Sequence, residues 1–111
     1  MTSAKAITKY VRISPRKIRL AAGLIRNLPV EEASFQLQVA NSKGGKLLKK
    51  TLDSAVANAE TQHDLKREEM KVIEVRVDEG PRIKRARPRS RGSRHPIQKK
   101  TSHLTVVVGK E

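Results

Sequence analysis

Five arginines, Arg85, Arg87, Arg89, Arg91 and Arg94, fall within ten residues of one another. A guanidinium group forks onto phosphate oxygens and stacks on exposed bases, which an ammonium group does less well. The residue type therefore points to a polyanion and leans toward folded RNA, although arginine arms also serve duplex DNA. Arg82, Lys84, Lys99 and Lys100 raise the basic residues of 82–100 to nine, with no acid among them. Residues 1–30 carry seven more, Lys5, Lys9, Arg12, Arg16, Lys17, Arg19 and Arg26, and are equally free of acids. All 11 acidic residues lie within 31–79 or at Glu111, and the net charge is +14. Like charges grouped in this way repel one another, and a polyanion that sheds condensed counterions on binding relieves the repulsion. A basic surface kept for solubility would explain one short run, but less well two separated blocks in a chain of pI 10.8.

Other chemistry finds little support. The chain has no cysteine, which removes disulfides, thiolate-ligated zinc, iron–sulfur clusters and thiol nucleophiles. His63, His95 and His103 show no metal-ligand spacing with Asp or Glu. The carboxylate pairs Glu31-Glu32, Glu68-Glu69 and Asp78-Glu79 are adjacent in sequence, so their side chains diverge on a helix or strand. Gly44-Gly45 lacks the pattern of a phosphate loop and reads as a helix-start feature. Neither catalysis nor a metal or cofactor is expected.

The elements that must carry these charges follow from length and periodicity. A chain of 111 residues, 36% hydrophobic, fits one domain, and with Tyr10 and Phe35 as its only aromatics the core is aliphatic. No run reaches the roughly 18 to 20 apolar residues of a membrane span, and residues 1–10 lack a signal-peptide stretch, so a soluble chain without a secretion signal is expected. Partial alternation over residues 5–13, with Ile7, Tyr10 and Val11 among basic neighbours, suits a strand with one wet face. Ser14-Pro15 begins a helix to about Asn27, whose stripe of Ile18, Ala21, Ala22, Ile25 and Leu28 is apolar while Arg16, Lys17, Arg19 and Arg26 project elsewhere. Leu28-Pro29 ends it. Val30, Ala33 and Leu37 form a second helix with Glu31 and Glu32 in its first turn and Phe35 helping to seal it. Asn41 or Ser42 caps a third, ending near Thr61, on the pattern Leu48, Leu52, Ala55, Val56 and Ala59. After a polar loop over 62–69, Ile73, Val75 and Val77 mark one face of a strand, and Leu104, Val106 and Val108 mark one face of another.

These two strands pair as a hairpin with the basic block between them. Residues 82–100 offer only Ile83, Ala86 and Ile97 as apolar residues besides Pro88 and Pro96, too little to offset the entropy of ordering the whole segment. The expectation is a projecting arm that takes its final order against phosphates, with Gly92 at the tip and the prolines as stiffeners. If residue 73 faces 106, the turn falls near 89–92 and each leg spans roughly 25 to 30 Å at strand rise.

The run Val77-Asp78-Glu79-Gly80-Pro81, then Lys84-Arg85, Pro88-Arg89 and Gly92, closing with Lys100-Thr101-Ser102-His103-Leu104-Thr105-Val106-Val107-Val108, resembles the C-terminal half of the bacterial large-subunit ribosomal protein L twenty-two family. Ser54-Ala55-Val56-Ala57-Asn58-Ala59-Glu60 is similar to that family's long-helix signature, and Ser14-Pro15-Arg16-Lys17-Ile18-Arg19-Leu20 to its first-helix start. The resemblance implies an α+β fold of three helices packed on a small three-stranded antiparallel sheet, a single domain over 1–111 with 80–102 as an extended β-hairpin. It implies a non-catalytic constituent of the cytoplasmic ribosome that binds 23S rRNA, assists subunit assembly and lines the nascent-peptide exit tunnel. Implied RNA-binding residues are Arg12, Arg16, Lys17, Arg19, Lys84, Arg85, Arg87, Arg89, Arg91, Arg94, Lys99, Lys100 and His103. Arg89, Ser90, Arg91, Gly92, Ser93 and Arg94 would face the tunnel, with Ser93 where the family often carries an arginine. Implied partners are 23S rRNA, neighbouring large-subunit proteins and the nascent peptide, with no membrane, no cofactor, and a monomer outside the ribosome. The competing reading is an architectural DNA-binding protein of the histone-like kind, whose β-arms enter the minor groove.

Overall fold

In a computed structural model the chain runs β1 (Thr2–Val11), α1 (Pro15–Ile25), α2 (Val30–Ala40), α3 (Lys43–His63), a 3-10 turn (Arg67–Glu69), β2 (Lys71–Glu79), β3 (Ile83–Pro88), β4 (Arg94–Lys99) and β5 (Ser102–Lys110). The structure describes residues 2–40, 42–81, 83–88 and 94–110, and within 82–99 it describes the backbone course of the two strands. β1, β5 and β2 form an antiparallel sheet in that order, with the last strand in the middle, while β3 and β4 form a second, two-stranded antiparallel sheet. This is the expected α+β architecture. The radius of gyration is 17.0 Å and the extents are 63 × 26 × 16 Å, against about 13 Å for a compact chain of this length. The molecule is long because of the second sheet.

The core forms where the periodicities meet. Ile18, Ala21, Ala22 and Ile25 of α1, Val30, Ala33 and Leu37 of α2, and Leu48, Leu52, Ala55, Val56 and Ala59 of α3 are buried against Val72, Val75, Val77, Leu104, Val106 and Val108 of the sheet. Fully burying one such branched side chain is worth about 1.5 to 3 kcal/mol. Ser42 is the cap of α3: its Oγ accepts the Gly45 N–H at 2.9 Å. Gly44 and Gly45 lie in the first helical turn, and a Cβ on Gly44 would sit 3.3 Å from Ile18 Cγ1, so the glycine lets α3 approach α1 closely. The helix runs to His63, two residues beyond the expected end, and stops where Asp64 turns left-handed at φ 51°.

Several expectations are corrected. Phe35 does not seal α2 but is 62% exposed, because it stands about 200° around the helix from both Ala33 and Leu37 at 100° per residue. β1 spans Thr2–Val11 in place of residues 5–13. Its inward residues are Ala4, Ala6 and Thr8, then Val11, and the change of parity comes from a bulge between Thr8 and Val11 in the pairing with β5. Ile7 and Tyr10, two of the three apolar residues that suggest the strand, are exposed, and of the three only Val11 is buried. On β2 the buried residues are Val72, Val75 and Val77, not Ile73. A second irregularity between Val72 and Glu74 shifts the register, so Val106 faces Val75 and not Ile73.

Candidate nucleic-acid interface

Two parts of the molecule gather the basic residues singled out in the sequence. The first is the second sheet. Its register sets Ile83 opposite Lys99, Lys84 opposite Gln98, Arg85 opposite Ile97, Ala86 opposite Pro96, Arg87 opposite His95 and Pro88 opposite Arg94. The legs of the expected hairpin are therefore paired. Its connection, with Arg89, Ser90, Arg91, Gly92 and Ser93, lies outside the described residues, as do the side chains of Lys84, Arg85, Arg87, Arg94 and Lys99.

The hairpin does not simply extend the main sheet. Gly80, Pro81, Lys100 and Thr101 lie between the two sheets, and hydrogen bonds join Gly80, Pro81 and Thr101 there. The Gly80 N–H donates to the Thr101 carbonyl at 2.9 Å, and Thr101 Oγ1 donates to the Pro81 carbonyl at 2.6 Å. Ser102 Oγ, fully buried, donates to the Ile13 carbonyl at 2.6 Å and so fastens the root of the hairpin to the turn before α1. A Cβ on Gly80 would lie 2.6 Å from Thr101 Oγ1 and 3.2 Å from the His103 ring, which is why this position has no side chain.

His103 is part of the same root. Its Nδ1 accepts the Tyr10 backbone N–H at 3.1 Å, so in that arrangement the ring proton sits on Nε2. The Tyr10 ring meets it edge-on with centroids 5.0 Å apart. The β1 bulge opposite His103 and the left-handed φ of 60° at Tyr10 bring this contact about.

The second part is the turn and helix after β1. Arg12, Arg16 and Lys17 are exposed. Arg12 and Lys17 join Lys100 and Lys43 around an open cleft whose other lining residues are Ile13, Ser14, Ser42 and Gly44. Arg19 is differently placed: Nε and Nη2 donate to the Val77 carbonyl at 3.2 and 2.9 Å. Arg26, outside the expected set, makes the same kind of contact, Nη2 donating to the Val75 carbonyl at 3.1 Å. Arg19 thus ties α1 to β2, and Arg26, the residue that ends α1, does so two residues away along the strand. Sequence reasoning had not singled out Lys43. The available signal was the first turn of α3, which has no acid, as the first turn of α1 has none, whereas α2 opens with Glu31 and Glu32.

Comparison with known proteins agrees with this architecture. Residues 6–109 match the family described as ribosomal protein L22p/L17e. The chain is 69% identical over 108 residues to the large ribosomal subunit protein uL22 of Protochlamydia amoebophila, covering 97% of each chain. It is 61% identical over 107 residues to the protein of that name from Chlamydia abortus and 58% identical over 107 residues to that of Chlamydia pneumoniae, with 96% of each chain covered in both cases. The histone-like reading gains no support from them.

Proposed function

The chain belongs to the L22p/L17e family of ribosomal proteins and is a structural constituent of the large ribosomal subunit, and from that premise we propose that it binds 23S rRNA, assists subunit assembly and lines the nascent-peptide exit tunnel with its hairpin. The observation that carries this reading is the second sheet: a paired, acid-free basic hairpin that makes the molecule 63 Å long. In this reading Arg12, Arg16 and Lys17, with Lys84, Arg85, Arg87, Arg94, Lys99 and Lys100, neutralise phosphates so that RNA segments which would otherwise repel can approach. Arg19 contributes through the N–H donors not spent on Val77, and His103 through the Nε2–H that its contact with Tyr10 leaves over. Residues 89–94 face the tunnel and the nascent peptide. The protein works in the cytoplasm, as a part of the particle and not as a catalyst, beside other large-subunit proteins.

Sucrose-gradient co-sedimentation tests the assignment: the chain should travel with large subunits, and persistence at the top of the gradient would refute it. Charge reversal at Arg85, Arg89 and Arg91 should weaken rRNA binding and flatten its dependence on salt, because each phosphate left without its cation takes about 0.7 to 0.9 from the slope of log K against log salt. An unchanged slope would take the hairpin out of the interface.

A further inference from the structure

Among the described residues, three other than glycine hold a left-handed backbone: Tyr10 at φ 60°, Asn27 at 63° and Asp64 at 51°. Asn and Asp visit that region readily because their short polar side chains bond locally, whereas a bulky residue there is an outlier that its surroundings must hold in place. Tyr10 gains nothing from burial, since it is 65% exposed. What the left-handed turn achieves is a direction for its N–H, which is donated to His103 Nδ1 at 3.1 Å. Backbone strain is therefore kept where the end of β1 reaches the root of the hairpin.

The residues that follow make a fixed base. Val11 pairs with Ser102, both Val11 and Ile13 are buried, and the Ile13 N–H returns to the Val11 carbonyl at 2.9 Å. From this base the Tyr10 N–H and the Ile13 carbonyl meet two consecutive residues of β5, His103 and Ser102. The His103 ring also stands against Gly80, where a Cβ would come 3.2 Å from its Cε1 and Nε2. The chain leaves for the hairpin through Gly80-Pro81 and comes back through Lys100-Thr101, and past this point β3 and β4 form a sheet of two strands. A ribbon of two strands is less constrained in its twist than a wider sheet. Bonds that reach its root from a third segment therefore govern the direction in which it departs.

We propose that residues 10–13 are a brace that sets the direction of the hairpin before any RNA is met, with Tyr10, Ser102 and His103 as its positioning residues. The purpose of the brace rests on the rRNA-binding reading above: an arm already aimed loses less orientational freedom on binding, so affinity rises without a further phosphate contact. Ser102, being fully buried, acts in this way alone. Losing a brace differs in kind from losing a cation. The first weakens binding equally at every salt concentration, whereas the second flattens the salt slope.

The test uses the full chain, which has no cysteine of its own, with nitroxide labels on Lys50→Cys in α3 and Gln98→Cys in β4 near the root. A control pair, Lys50→Cys with Lys66→Cys, sits at exposed positions of the domain itself. Without RNA the first pair should give one narrow distance distribution. His103→Phe, which keeps a ring but loses the acceptor, and Ser102→Ala should each broaden it while the control pair stays narrow. His103→Asn, whose amide oxygen can take the place of Nδ1, should restore it. Ser102→Ala should also bind 23S rRNA a few-fold more weakly at every salt concentration from about 50 to about 200 mM, with the slope of the wild type. A broad first-pair distribution in the wild-type background overturns the brace, and so does a narrow one in both variants. Should His103→Phe broaden the control pair as well, Ser102→Ala decides alone. A wild-type chain that does not bind the rRNA overturns the binding reading, and the distances, read without RNA, still decide the brace.

Discussion

β2 and β5 pair antiparallel, and so do β3 and β4, which continue the same two stretches of chain beyond Gly80 and Thr101. In the first pair Val72, Val75, Val77, Leu104, Val106 and Val108 are buried under helices. In the second pair the residues are mostly basic, with Ile83, Ala86 and Ile97 the apolar ones besides proline. Backbone pairing is common to both, so pairing is not what separates the two sheets. Composition is the difference: the first sheet has an apolar face, which the helices remove from water, and the sequence of the second supplies few apolar residues to bury. Between them the chain inserts Gly80, Pro81, Lys100 and Thr101, and Thr101 ties Gly80 and Pro81 by hydrogen bonds.

The largest effect that would sharpen this contrast is in the core. Leu52→Ala, at a fully buried position of α3, should cost about 2 to 5 kcal/mol in urea denaturation. Neutralising Arg85 and Arg87 together should change stability by no more than about 0.5 kcal/mol. A comparable loss from both would show that the hairpin contributes to the fold and would break the contrast.

Gly80→Ala tests the junction. Its Cβ would come 2.6 Å from Thr101 Oγ1 and displace the bond to Pro81, so a loss of about 1 to 3 kcal/mol is expected in the same assay. A neutral result would mean that the root is loosely held. Ser102→Ala removes the buried donor to the Ile13 carbonyl and should cost about 1 to 2 kcal/mol, read as a lower melting temperature. Arg19→Ala should cost less, roughly 0.5 to 1 kcal/mol, since its group is exposed to water on one side. In native-state exchange, amides of β5 should be protected to near the global stability, and those of residues 83–88 and 94–99 far less. Equal protection would collapse the two regions into one.

The contrast itself was legible in the sequence, because it rests on composition. Leu48, Leu52, Ala55, Val56 and Ala59 name a buried helix, Leu104, Val106 and Val108 name a buried strand face, and the run 82–100 names a segment with nothing to bury. Less legible were the positions where the chain breaks its own period. The bulges at residues 9–10 and at Ile73 each insert one residue into a strand and reverse which parity points inward, and no period-2 pattern announces them. The second accounts for the misplacement of Ile73, whereas Phe35 failed for a simpler reason, its angle on the helix. The cleft was out of reach for a different cause: Arg12, Lys17, Lys43 and Lys100 meet through tertiary packing across almost the whole chain. Arg19 and Arg26 read as surface charges in sequence and turn out to be ties between α1 and β2.

Those ties have a bearing on the protein's life before it reaches its RNA. β2 is an outer strand, yet Val72 exchanges hydrogen bonds with Asn27 and Leu28, Met70 receives one from Val30, and the carbonyls of Val75 and Val77 are taken by Arg26 and Arg19. At the opposite margin Asn58 donates to the Lys5 carbonyl of β1. An open strand margin is a template onto which another chain can add, the first step of aggregation. With these acceptors occupied from within, newly made copies awaiting assembly meet one another charge against charge, and the margin of β2 offers them a poor template.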